Sequence, residues 1–345
     1  MTNQFKRILI WLILIFFPLV VILLLITGFD LYLHKKHEST FGLNTSGYRG
    51  AVLQEKKSNE FRIATIGGST TFGYGVNTNQ SWPFLLESHL NSSNEMPKVD
   101  KKYTVANLGY NNEGAFAYEF NLRVFDHLNF DAVIFFTGVN DLGTGNLTVF
   151  RNNPIFNTFG YFPILPIILF EKAKIIENSK SLEDAYLGKN LQNSNFLQKK
   201  VVEFMLFLSD NYNKISSKIT PVYREINPVQ NYDSKMAFDN CGESWLEYCS
   251  NILAAVKYAK NRDLRVFVIS EPSRSKNVQS QKNAINKLIK EFNAKRGQHA
   301  TWIDYTDFLN LESNQISFDK MHLTPAGNRI LAERISQDLR RYFSE

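Results

Sequence analysis

Phe61-Arg62-Ile63-Ala64-Thr65-Ile66-Gly67-Gly68-Ser69-Thr70-Thr71 joins a short apolar run to a glycine-rich turn with one serine at its tip. A strand that ends in small residues before a helix is where an α/β sheet exposes a nucleophile at its carboxyl edge. The same residues also fit a plain turn, with Gly67 and Gly68 bending the chain and Ser69 capping the next segment. The choice between the two lies in the rest of the chain.

Working outward, apolar runs alternate with helical patterns. Arg62–Ile66 reads as a first strand, Trp82–Leu90 as a helix with Pro83 in its first turn, and Tyr103–Asn107 as a second strand. Gly114–Leu128 reads as helix. Ala132–Thr137 is apolar throughout except at its last residue, the composition of a strand buried on both faces of a parallel sheet. Further on, 243–262 is helical, 265–270 is strand, 280–295 is helical, 301–304 is strand, and Pro325–Phe343 closes the chain as a helix behind the Thr324 cap. This order predicts an α/β fold: a doubly wound, mainly parallel five-stranded sheet flanked by helices. The pattern breaks at about 143–240, expected as an insertion. Within it, the proline-bearing apolar stretch 154–170 is too short to span a membrane. Two readings of it stay open, core packing or an apolar lid facing a bilayer or an acyl substrate.

The N-terminus reads as an anchor. From Ile8 to Ile26 every residue is apolar, a length that rises roughly 30 Å as a helix, about one hydrocarbon thickness. No A-x-A pattern comes after it, which favours an uncleaved span over 8–28 rather than a removed signal. Residues 1–7 are expected to stay in the cytoplasm, 29–58 to form a polar stalk or linker, and 59–345 to be the exported domain.

The 345 residues carry a net charge of +6 with the lysines scattered, and no arginine-rich or aromatic-basic run marks a nucleic-acid surface. Cys241 and Cys249, the two cysteines, suit a disulfide in an oxidising compartment or two unrelated thiols equally well. They leave no cysteine cluster with zinc spacing, and no metal or organic cofactor is expected.

Three more polar groups stand where Ser69 would meet them. Asn107-Leu108-Gly109 ends the second strand, Gly138-Val139-Asn140-Asp141 ends the third, and Asp319-Lys320-Met321-His322 precedes the last helix. A serine hydroxyl needs a base within reach, which His322 supplies, and Asp319 can hold that imidazole in one tautomer. The N–H groups of Ser69 and Gly109 and the Asn140 amide are suitable donors for an oxyanion. Each piece also has a structural reading as a turn, a cap or a surface histidine.

Together the four blocks resemble the SGNH (GDSL-type) hydrolases. That family carries Ser, Gly, Asn and His in this chain order with an Asp three residues before the His. The resemblance covers about 61–141 and 265–340, and Gly68 stands where the family name has aspartate. It implies a flavodoxin-like α/β fold and a serine esterase acting through an acyl-enzyme on Ser69. Asp319 and His322 would complete the triad, with Ser69, Gly109 and Asn140 forming the oxyanion hole. The implied substrates are O-acetyl esters of cell-envelope glycans or lipid acyl esters. Two rivals are an O-acyltransferase using the same triad, and a non-catalytic binding or assembly module. By spacing, Gly67-Gly68-Ser69-Thr70-Thr71 is not the G-x-S-x-G elbow of α/β-hydrolases.

Overall fold

The five apolar runs form one sheet: β1 Glu60–Gly67, β2 Lys102–Asn107, β3 Ala132–Thr137, β4 Arg265–Ser270 and β5 Ala300–Ile303. The order is β2-β1-β3-β4-β5 and every pairing is parallel, as the near-continuous apolar strands require. The computed structural model describes residues 3–92, 102–142, 149–178, 196–219, 231–296 and 300–343. The expected α/β architecture is present. Chain order reverses between β1 and β3, and a crevice is expected at the carboxyl ends of such a pair of strands.

The pleat sends alternate residues to two core layers. On one face, Ile63, Ile134, Phe136 and Ile269 pack with Trp82, Leu86 and Leu90 of α3 (Trp82–Ser92) and Leu331, Ile335 and Leu339 of α11 (Pro325–Phe343). On the other, Ile66, Phe135 and Val268 pack with α9 (Leu246–Lys260) and α10 (Lys276–Arg296). The expected 114–128 helix is broken into a 3-10 turn at Ala115–Ala117, α4 (Tyr118–Val124) and a second 3-10 turn at Asp126–Leu128. The β2 edge is covered rather than open. Asn91 of α3 exchanges two hydrogen bonds with the Tyr103 backbone at 2.8 and 3.0 Å, and Glu87 accepts the Val105 N–H at 2.7 Å.

The described part of the 143–240 insertion is helical: α5 (Pro154–Phe159), α6 (Leu165–Asn178), α7 (Phe196–Ile219) and α8 (Asn231–Cys241). Residues 143–148, 179–195 and 220–230 lie outside the described residues. The apolar 154–170 stretch divides: Phe156, Phe162, Ile164 and Ile168 join the core, whereas Ile155, Phe159 and Phe170 are exposed. A disulfide joins Cys241 to Cys249, tying α8 to α9.

The N-terminal helix α1 runs Asn3–Lys36, and its Phe16–Lys36 part is long and apolar enough to cross a membrane by length and composition. The expected stalk needs correction. Leu33, Leu43, Tyr48 and Arg49 are buried, and the first three belong to the main core. Asp30 accepts the Ile164 and Leu165 N–H groups at the start of α6 and the Tyr161 hydroxyl. The His34 ring nitrogens lie 2.9 Å from Leu43 O and 3.0 Å from Phe162 O. The segment looked like a linker because its polar groups have no local period; their partners are scattered through the fold.

Candidate active site

Ser69 is the first residue of α2 (Ser69–Phe72), a single turn directly after β1. The turn is tight for a steric reason. A Cβ at Gly67 would stand 2.5 Å from Phe136 O of β3, and one at Gly68 would stand 1.8 Å from Asn140 Nδ2. Two bare backbones thus let the β1 end and the loop after β3 touch beside the serine.

His322 arrives from the loop before α11. There Ser317 and Leu323 form an antiparallel bridge and Lys320 takes φ +68°. Its Nε2 lies 2.9 Å from Ser69 Oγ, and its Nδ1 lies 2.6 Å from Asp319 Oδ2. The other Asp319 oxygen accepts the backbone N–H groups of His322 at 2.7 Å and Met321 at 3.1 Å. Burial works to raise the Asp319 pKa, but the His322 N–H, the imidazole and the Met321 N–H outweigh it and leave the carboxyl below its ordinary value. Asp319 is therefore ionised at neutral pH and can hold Nδ1 as the protonated nitrogen. The Tyr74 ring lies against the imidazole, with centroids 5.1 Å apart.

Gly109 and Asn140 reach the same edge. A Cβ at Gly109 would stand 2.6 Å from Phe72 N and 2.8 Å from Thr71 Cβ, so only glycine lets this strand end lie against α2. The Gly109 N–H donates to Asn107 Oδ1 at 3.1 Å. The Asn140 Nδ2 carries two hydrogens and gives one to Glu113 O at 2.9 Å, which sets the plane of the amide. The Ser69 N–H belongs to the first turn of α2, where amides have no acceptor within the helix. Ser69, Gly109, Asn140, Asp319 and His322, singled out from sequence, are all brought to one edge of the sheet.

Several supporting groups were not singled out. Glu271, fully buried just past β4, accepts the Val139 N–H at 2.8 Å and a hydrogen bond from Thr70, so it bridges the neighbours of Asn140 and Ser69. Burial pushes its pKa up to about 7. Asp141 accepts the Ala115 N–H at 2.8 Å and is likewise raised to about 7, mainly by burial. Arg151 sits fully buried within the insertion and lies 3.3 Å from Glu113 Oε2. It also donates to Gly109 O at 3.2 Å and Gly47 O at 2.6 Å. Glu271 had a usable signal, a charged residue at the end of an apolar strand in the position that drew attention to Asn140. Arg151 had none. Among the described residues no three His, Cys, Asp or Glu side chains converge as a metal-ligand set.

The chain matches no family model and no curated relative. It is similar to several solved structures. One is a protein of the G-D-S-L family from Desulfitobacterium hafniense (13% identity, 80% of this chain and 98% of that one, TM-score 0.39). Another is a family two carbohydrate esterase from Clostridium thermocellum, solved with cellohexaose (11%, 85% and 68%, TM-score 0.42). A third is an acetyl xylan esterase from Butyrivibrio proteoclasticus (11%, 86% and 67%, TM-score 0.39).

Proposed function

We propose that the chain is a serine esterase of the SGNH type, anchored to a membrane by α1. The observation that carries this reading is the unbroken relay from Ser69 Oγ through His322 to Asp319, at 2.9 and 2.6 Å, set beside Gly109 and Asn140. Ser69 Oγ attacks the ester carbonyl carbon while His322 Nε2 takes its proton, and Asp319 stabilises the imidazolium that forms. The oxyanion is met by the Ser69 and Gly109 N–H groups and the second hydrogen of Asn140 Nδ2. For Gly109 this requires its N–H to turn partly from Asn107. Collapse returns the proton to the leaving alcohol, and water then resolves the acyl-enzyme by the same steps in reverse order.

The apolar α1 and the Cys241–Cys249 disulfide support a domain held on the outer face of a cytoplasmic membrane. In that setting O-acetyl esters of envelope glycans or lipid acyl esters are the substrates within reach. The test is a fluorophosphonate probe on the full chain in detergent, read by intact mass. Wild type is expected to gain one adduct, and Ser69→Ala and His322→Ala none. A folded wild type that stays unlabelled would sink the hydrolase reading.

A further inference from the structure

We propose that Arg49, from the segment between α1 and β1, is a positioning residue of this active site: its guanidinium holds the carboxyl end of α2 and so sets where Ser69 stands. The inference rests on the serine-esterase reading and adds a residue to it.

The need for such a residue comes from α2 itself. Four residues make one turn, too short to be stable by its own hydrogen bonds, and its last carbonyls have no partner within it. Arg49 supplies them. One end of its fork, Nη1, donates to Phe72 O and to Gly73 O at 2.6 Å; the other, Nη2, donates to Val76 O at 2.6 Å and back to Thr40 O at 2.7 Å. The plane lies over the Phe72 ring, 4.6 Å from its centroid. A planar fork can join four carbonyls in this way, and a single ammonium cannot.

The restraint reaches the nucleophile in two short steps. Gly73 N and Tyr74 N both donate to Ser69 O, at 2.9 and 3.0 Å, so holding Gly73 holds the serine backbone. Tyr74 is also the ring against His322. A second arm reaches Gly109. The Arg49 backbone N–H donates to Asn107 O at 3.0 Å, and Asn107 in turn donates to Thr71 O and Phe72 O and accepts from Gly109 N.

The side chain is too expensive for simple filler. Arg49 is 4% exposed, and among the described residues no carboxylate pairs with it. Burying an unpaired cation is costly unless its donors are satisfied, and here four backbone carbonyls, two of them at the end of α2, take the Nη hydrogens while the Nε hydrogen has no partner. An apolar residue would fill the same space more cheaply without holding α2.

The experiment is saturation kinetics of fluorophosphonate labelling on the full chain in detergent, which separates the maximal rate of adduct formation from the half-saturating probe concentration. Wild type, Arg49→Lys, Arg49→Gln and Arg49→Ala are compared, with thermal unfolding recorded for each. We expect the maximal rate to fall by about 10²-fold in folded variants, the size of loss that a misplaced reacting group produces, while half-saturation moves little. Added methylguanidinium should restore part of the rate in Arg49→Ala, and added ammonium should not. A folded variant that labels at the wild-type maximal rate overturns the proposal. So does loss of folding in Arg49→Lys, the variant that keeps charge and stem, because Arg49 would then act through stability alone. An unlabelled wild type would instead strike the esterase reading, so the two failures are distinguishable.

Discussion

Gly68 is the residue at which the chain departs from the G-D-S pattern, and the structure gives that glycine a reason. A Cβ there would stand 1.8 Å from the Asn140 amide. Gly68→Ala should displace Asn140 and cost about as much as losing one oxyanion donor, roughly 10²–10³-fold in ester turnover, with the fold retained by circular dichroism. Asn140→Ala should show a loss of the same order, and combining the two should cost little more than either, since both act on one group. Asp319→Asn removes the charge that steadies the imidazolium, and turnover should drop about 10²–10⁴-fold with little change in apparent substrate affinity.

At the scale of elements, the chain just past β3 and β4 carries two carboxyls, half-buried Asp141 and buried Glu271, both raised to about 7 chiefly by loss of water around them. A carboxyl whose folded pKa is raised lends its full stability below the unfolded value and loses it as pH climbs through the folded value. The window here therefore opens at about 3.8 for Asp141 and about 4.5 for Glu271, and closes at about 7 for both. The midpoint of thermal unfolding should accordingly be higher near pH 5 than near pH 8, and Glu271→Gln should shrink that difference. An unchanged difference in the glutamine variant would mean that Glu271 does not titrate in this window.

For the molecule as a whole, the segment that joins α1 to β1 packs into the core. Leu33, Leu43 and Tyr48 bury their side chains in the core, and large apolar residues removed from a core cost about 2–5 kcal/mol each. A chain beginning at residue 29 should fold and label with the probe. One beginning at residue 59, the boundary that the sequence suggests, should aggregate or melt far lower. Equal melting of the two forms, compared by calorimetry, would return residues 29–58 to the role of a tether.

The strands, the closing helix, the apolar N-terminal helix and the five candidate residues that meet at one sheet edge were legible in the sequence, because each is written in a local pattern. Ala132–Thr137 is apolar through nearly its whole length, Pro325 comes directly after a capping threonine, and Ser69, Gly109 and Asn140 each end a predicted strand. Parallel strands then deliver such ends to one edge whatever the loops contain. Arg49 and Arg151 were invisible for the opposite reason, and the partners of Glu271 were hidden with them although its charge at a strand end was not. Most of their partners are distant in sequence, as in Arg49 with Phe72 O and Val139 N with Glu271, 23 and 132 residues apart, and no period in the neighbouring sequence marks the pairing. The sequence determined which groups could do chemistry; only the closing of the chain on itself decided which buried charges would hold them in place.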